Sequence, residues 1–254
     1  DALIAKKETL LAKLAEKRTA LISHAVTKGL DPSAPMKDSG VKWLGEIPAH
    51  WGGTRIKFVA HVGNGSTPSR ENSEYWFDGT YPWLNSSVVN QESVFTSDQF
   101  VSEIALKECH LPIVEPPAVL VGITGQGKTR GMASILEFEA TINQHLVFVK
   151  SFQPGMNDRY LRRLFDRAYL YLRNESDGGG STKGAITCEQ IKNIEIAMPP
   201  IEEQNEIVRF IEQKIFQLDT QKRMIETAVS TLQEYRSALI TNAVTGKINV
   251  ENIA

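Results

Sequence analysis

Cysteine is almost missing from this chain of 254 residues: Cys109 and Cys188 are its only two. That excludes a disulfide framework and a four-cysteine zinc site, and it fits a reducing compartment. Long apolar runs are missing too. None approaches the roughly 18 residues of a membrane-spanning helix, and the opening Asp-Ala-Leu-Ile-Ala-Lys-Lys lacks the layout of a signal peptide. The expectation is a cytoplasmic protein with no membrane contact. Nor is there an excess of positive charge. The net charge is −2, distributed as +3 over residues 1–30, −3 over 31–200 and −2 over 201–254. Composition alone therefore gives no support to a strongly basic nucleic-acid binder. Chemistry-bearing spacings are equally scarce: there is no His-x-x-x-His, no Cys-x-x-Cys and no nucleophile elbow. His24, His50, His61, His110 and His145 are scattered, and each reads as structural or exposed rather than as a ligand. What remains is ordinary for a globular chain, 41% hydrophobic and 23% charged, which excludes a disordered or collagen-like polymer.

The most informative feature present is an internal repeat. Residues 8–27 (ETLLAKLAEKRTALISHAVT) and 226–245 (ETAVSTLQEYRSALITNAVT) share eleven of twenty positions. The matches include Leu14/Leu232, Arg18/Arg236, Leu21/Leu239, Ile22/Ile240, Ala25/Ala243 and Val26/Val244. Both copies are helical in period, and Ile211, Leu218 and Ile225 carry the second copy backwards at seven-residue steps, a heptad seam. Pro199-Pro200 suits the start of the second helix and Gly246 its end. Some 45 residues at 1.5 Å rise give a rod of roughly 65–70 Å. The first helix covers about residues 2–27. Because an exposed stripe of this length is a liability, the two helices are expected to pack antiparallel, within one chain or between two copies. Seam arginines Arg18 and Arg236 either pair with a carboxylate such as Glu16 or Glu234, or snorkel to water.

Between the rods the pattern changes to short β-like runs separated by Gly/Ser/Asn/Asp loops. Strands are expected at Arg55–Val62, Val88–Phe95, Ala118–Ile123, Ala133–Glu139, Leu146–Lys150 and Ile194–Met198, and one amphipathic helix at Asn157–Arg173. Arg162, Arg163 and Arg167 on that helix read as a solvated face. The fold class is mixed α/β: a domain over residues 31–200 flanked by coiled-coil arms at 1–30 and 201–254. Four loops are rich in hydrogen-bond donors of the kind that touch phosphates and base edges: Gly63–Arg70, Asp78–Ser87, Thr124–Gly131 and Asp177–Gly184. Ordinary surface turns share that composition. Within them the candidate DNA contacts are Gln126, Lys128, Thr129 and Arg130, then Ser181, Thr182 and Lys183, then Ser66, Thr67 and Arg70.

Two motifs point elsewhere. Residues 122–129, GITGQGKT, fit the phosphate-loop pattern G-x-x-x-x-G-K-[ST]. That motif needs a helix to start at once, whereas Gly131 interrupts the first turn and MASILEFEATI looks like a strand. A glycine-rich hairpin loop presenting Lys128 and Arg130 is the preferred reading, with a coiled-coil-stalked ATPase as the alternative and a pure dimerisation scaffold as a third class. Met198-Pro199-Pro200-Ile201 echoes the Asn/Asp-Pro-Pro-aromatic motif of amino-methyltransferases, but Met and Ile replace the polar and aromatic residues.

The segment Trp43-Leu44-Gly45-Glu46-Ile47-Pro48-Ala49-His50-Trp51 resembles the opening of a target recognition domain in the specificity (S) subunits of type I restriction-modification systems. Gly79-Thr80-Tyr81-Pro82-Trp83-Leu84, the Val119–Gly131 loop, Ile142-Asn143-Gln144 and Gly180-Ser181-Thr182 resemble later elements of that domain. Ile191–Ile194 with Met198-Pro199-Pro200-Ile201-Glu202-Glu203-Gln204 resembles its exit into the distal helix. The resemblance implies a non-catalytic subunit that reads one half of a bipartite double-stranded DNA target. It implies modification (M) and restriction (R) subunits as partners, with S-adenosylmethionine, ATP and Mg²⁺ on those partners and no cofactor here. Leu14, Arg18, Leu21, Leu218, Ile225, Leu232, Arg236 and Leu239 would then form the arms for partner docking or self-association. The family's full subunits carry two recognition domains and this chain one, so a half-length subunit or a C-terminal half is expected, and the missing initiator Met favours the half.

Overall fold

Residues 1–125, 127–152, 154–177 and 184–248 are described by the computed structural model. Along the chain run α1 (Ala2–Lys28), β1 (Met36–Asp38), β2 (Glu46–Pro48), β3 (Gly52–Arg55), β4 (Ala60–Asn64), β5 (Tyr81–Leu84), β6 (Ser93–Val94), β7 (Phe100–Val101) and α2 (Glu103–Glu108). Then come β8 (Ala118–Gly122), β9 (Ala133–Leu136), β10 (Thr141–Ile142), β11 (Leu146–Ser151), α3 (Asp158–Asp177), α4 (Cys188–Lys192), β12 (Glu195–Met198) and α5 (Ile201–Val244). These divide into two units, Asp1–Leu21 with Phe210–Ala254, and Ile22–Arg209. The division falls inside both long helices. Ile22, Ala25, Val26 and Thr27 at the end of α1, and Gln204, Ile207 and Val208 at the start of α5, are buried in the globular unit.

The helical unit is an antiparallel pair within one chain. Arg18 Nη1 meets Asp219 Oδ1 at 3.0 Å, and Arg236 Nη1 meets Asp1 Oδ1 at 2.7 Å. Asp1 and Arg18 are 17 residues apart and so are Asp219 and Arg236, which places both clasps in step along two helices of equal rise. The seam arginines thus pair with carboxylates of the facing segment, Asp219 on α5 and Asp1 just ahead of α1. Along the seam Leu14, Leu21, Ile225 and Leu232 are half-buried, and Leu218 is buried. Past the Arg236–Asp1 clasp, Leu239, Ile240 and Val244 are exposed.

The globular unit is built on a five-stranded sheet in the order β4-β11-β8-β9-β6, antiparallel except for the β9–β6 pair. Every residue of β8 and β9 is buried, as expected of short continuous apolar runs at the centre of a core. Helix α3 packs on these two strands through Leu161, Leu164, Phe165, Ala168 and Leu172, all nearly inaccessible. Each large side chain there contributes roughly 1.5–3 kcal/mol by burial. Leu120, Leu136 and Leu146 gather a cluster with Leu84, Val89 and Ile142. A small sheet, β10-β5-β7, and α2 enclose Trp83, Val101, Ala105 and Leu111.

Two expected strands are interrupted. The Arg55–Val62 run turns through a 3-10 segment at Ile56–Phe58 because it serves two sheets: β3 pairs with β12 and β4 with β11. In Val88–Phe95, Asn85 caps a 3-10 turn by accepting from the Ser87 N–H at 2.9 Å, leaving only β6 extended. The arginine face of α3 is also not solvated. Arg162 and Arg163 are buried, and both pair with Glu92 and Asp166. Arg162 Nη2 donates to the Ala133 carbonyl at 3.1 Å, and Arg167 lies over the Trp43 ring. These cations join α3 to the sheet.

The family-like motifs are largely structural. Trp51 is 1% exposed, and its indole N–H donates to Glu203 Oε2 at 2.9 Å. Trp43 stacks on Tyr171. Gln204, fully buried, accepts from the Asn157 N–H and donates to the Gly155 and Pro199 carbonyls, which ties the Pro-Pro entry of α5 to the entry of α3.

Candidate nucleic-acid interface

Gly122 and Gly131 close a hairpin. β8 and β9 are antiparallel in register Val121↔Ala133, and Gly122 and Met132 as well as Gly131 and Gly122 are joined by backbone bonds. A strand, not a helix, follows the GITGQGKT sequence, so it lacks the helix N-terminus on which a phosphate loop depends, and the ATPase alternative falls. Gly131 sits at φ +86°, and a Cβ there would press on Tyr169 and Arg173, so glycine is required at this turn.

Two of the three candidate loops come together. The Thr67 hydroxyl donates to Gln144 Oε1 at 2.5 Å, Gln144 Nε2 lies 3.4 Å from His145 Nε2, and His145 Nδ1 lies 3.0 Å from Thr124 Oγ1. One proton arrangement satisfies the whole chain: Gln144 donates to Nε2, and the Nδ1–H donates to Thr124. A continuous polar line thus joins the loop after β4, the turn between β10 and β11 and the β8–β9 hairpin. Gly65 lies so close to the Ile142 carbonyl that a Cβ would come within 1.7 Å of its oxygen. The indoles of Trp83 and Trp76 donate to the Ser66 and Ser69 carbonyls, fixing the 65–70 loop from below. Arg70 is exposed, with its guanidinium 3.5 Å from the Trp76 ring centroid and bonded to Gln99. Ser66 and Thr67 are half-buried.

On the hairpin tip Lys128 is exposed and Thr129 half-buried. Arg130 is neither presented nor free. It is 4% exposed, and its Nη2 donates to Asp177 Oδ1 at 2.6 Å, which corrects the expectation that it projects from the tip. Gln126, Ser181, Thr182 and Lys183 lie outside the described residues. Asp177 accepts from the Arg130 guanidinium, and a Cβ on Gly184 would collide with it. Sequence reasoning missed Gln144 and His145 as members of the site. Their signal was the Asn-Gln-His step between two apolar runs, where Asn143 Oδ1 accepts from the His145 N–H and turns both side chains outward. Among the described residues no group of His, Cys, Asp or Glu could hold a metal ion, and no helix is long and apolar enough to cross a membrane.

A family model described as the type I restriction modification DNA specificity domain matches residues 48–228. The chain is similar to the type I restriction enzyme MjaIX specificity subunit of Methanocaldococcus jannaschii, 32% identical over 169 residues, which are 65% of this chain and 38% of that protein. It is also similar to the EcoR124I/EcoR124II specificity subunit of Escherichia coli, 23% identical over 185 residues, 72% of this chain and 43% of that one. In fold it resembles the HsdS subunit from Thermoanaerobacter tengcongensis, with a TM-score of 0.61 at 16% identity, covering 97% of this chain and 54% of that one. The chain spans about half the length of the curated relatives it matches. With most of its length covered by the family model and a mixed α/β unit between two long helices, the chain belongs to the type I restriction-modification DNA specificity family.

Proposed function

We propose that this chain reads one half of a bipartite double-stranded DNA target for a type I restriction-modification complex and has no chemistry of its own. The observation that carries this reading is the convergence of the 63–70, 122–131 and 142–145 segments on the Thr67–Gln144–His145–Thr124 line. The same segments carry side-chain amides, hydroxyls and the exposed cations Lys128 and Arg70, the groups suited to base edges and phosphates. The methyltransferase subunit docks on the helical unit, and the restriction subunit joins through it. S-adenosylmethionine, ATP and Mg²⁺ belong to those partners. The chain's near-neutral charge agrees with partners that supply much of the phosphate binding.

The repeat supports a second recognition domain of the same kind as a further partner. In the first copy Ile22, Ala25 and Val26 are buried in the globular unit, and the Val26 carbonyl accepts from Tyr160 Oη. In the second copy the identical Ile240 and Val244 are 57% and 82% exposed. A second globular unit covers them in this reading, and the arms set the spacing of two half-sites.

The test is reconstitution with the cognate modification subunit, followed by footprinting on duplex DNA. The reading predicts two protected half-sites separated by an unprotected spacer. Protection independent of sequence, or none, overturns it.

A further inference from the structure

The last turns of α3 hold the hairpin tip by its backbone. Tyr169, Arg173 and Asp177 recur every four residues and share one helix face. Tyr169 Oη donates to the Lys128 carbonyl at 3.0 Å. Arg173 Nη1 donates to the Gly127 carbonyl at 2.6 Å and reaches the Arg130 carbonyl at 3.3 Å. The Arg173 guanidinium lies 5.6 Å from the Tyr169 ring centroid, and Asp177 takes the Arg130 guanidinium. Gly131 fits against Tyr169 and Arg173 where a Cβ would crowd both. Three carbonyls of one short loop are thus held by two side chains of one helix, while the Lys128 side chain stays exposed.

A glycine-bearing loop released from such contacts gains roughly 1–2 kcal/mol of conformational freedom per residue, and a ligand that needs it ordered must overcome that gain. We propose that Tyr169 and Arg173 are positioning residues that fix residues 127–130 in the form that reads DNA. The proposal rests on the reading of this chain as a DNA-specificity subunit. It separates two roles that composition mixes: Lys128 and Thr129 face the DNA, and Tyr169 and Arg173 act only through them.

Tyr169→Phe removes a single hydroxyl and no charge, and Arg173→Gln with Arg173→Lys tests the cation. Each is assembled with the modification subunit and given two probes: a duplex carrying the site that the wild-type complex methylates, and a scrambled duplex of equal length. Amide hydrogen exchange is followed over the peptide covering residues 124–131. Expected are faster exchange in that peptide, unchanged tryptophan-monitored unfolding and unchanged scrambled-duplex affinity in Tyr169→Phe. Binding to the methylated site should weaken by about 10- to 100-fold, with partial recovery in Arg173→Lys relative to Arg173→Gln. Unchanged exchange in both Tyr169→Phe and Arg173→Gln overturns the clamp. Equal losses on both duplexes overturn it as well, because they mark a direct phosphate contact. Faster exchange with target binding intact shows that the loop is clamped but does not read DNA, which overturns its role in recognition while leaving the fold-level contacts standing.

Discussion

Arg130 and Asp177 form an ion pair of 2.6 Å between the β8–β9 hairpin and the last residue of α3. The arginine is buried and the aspartate side chain is 60% exposed, so the pair fastens an interior cation to a rim carboxylate. Arg130→Ala is therefore expected to act on stability before recognition, lowering unfolding free energy by about 2 kcal/mol through the lost hydrogen bonds and packing. Lys128→Ala should leave stability unchanged and weaken binding of the target duplex, with the salt slope on that duplex falling by about 1. Urea unfolding of both variants, paired with binding at two salt concentrations, separates the two residues. Identical stability of Arg130→Ala and the parent would contradict the assignment.

Glu92 receives both Arg162 and Arg163, which are buried while Glu92 is partly exposed. Removing one cation leaves its carboxylate partners solvated at one side. Arg163→Ala should cost roughly 2–3 kcal/mol, below the ~3–5 of a fully buried pair. Chemical denaturation gives the value, and a loss under half a kcal/mol would return these arginines to the solvated face that composition suggested.

Asp158 opens α3 and accepts from the Ser151 N–H and hydroxyl, with Lys150 at 3.6 Å. Burial dominates and raises its carboxyl above the usual 3.8, against the lowering by Ser151 and Lys150. The folded state therefore holds this proton more tightly than the unfolded chain, and ionisation works against folding. As pH falls through the raised folded value toward 3.8, the wild type should gain stability relative to Asp158→Asn. Matched urea titrations at neutral and mildly acidic pH check the sign; a gap that moves the other way shows that the Ser151 and Lys150 contacts outweigh burial.

All four tryptophans, Trp43, Trp51, Trp76 and Trp83, lie in the globular unit, so tryptophan emission reports that unit alone while far-UV circular dichroism also senses the arms. Leu14→Asp with Leu232→Asp should lower helix content and abolish modification-subunit docking without moving the tryptophan transition by more than a few degrees. In the assembled complex, deleting one heptad from each arm keeps the seam and removes about 10 Å of rod. That equals about 3 base pairs of spacer at 3.4 Å each.

The helices were legible because a heptad seam, Pro199-Pro200 and Gly246 mark them without reference to the rest of the chain. The strands at 118–122, 133–136, 146–151 and 195–198 were legible as short apolar runs. β1, β2, β5, β7 and β10 are two to four residues long, too short for a period to register, and tertiary pairing creates them. Helices α2 and α4, of six and five residues, are equally below the reach of periodicity. At the candidate site, the loops announced themselves by composition, but the fate of each cation did not. Arg130, Arg162 and Arg163 find carboxylates 47 to 71 residues away, and only the fold brings those partners in. The Asn-Gln-His step was the one local sign of His145; its contact with Thr124 comes only from the fold.

The most direct test of the central claim is the map of methylated positions in DNA modified by this chain and its modification subunit, compared with the map from a Lys128→Ala/Gln144→Ala variant. The account predicts a single bipartite motif for the parent and, for the variant, relaxation or loss confined to the half of that motif read by this domain. An unchanged motif in both halves, with methylation at full extent, would show that the three-loop end of the globular unit does not read the target.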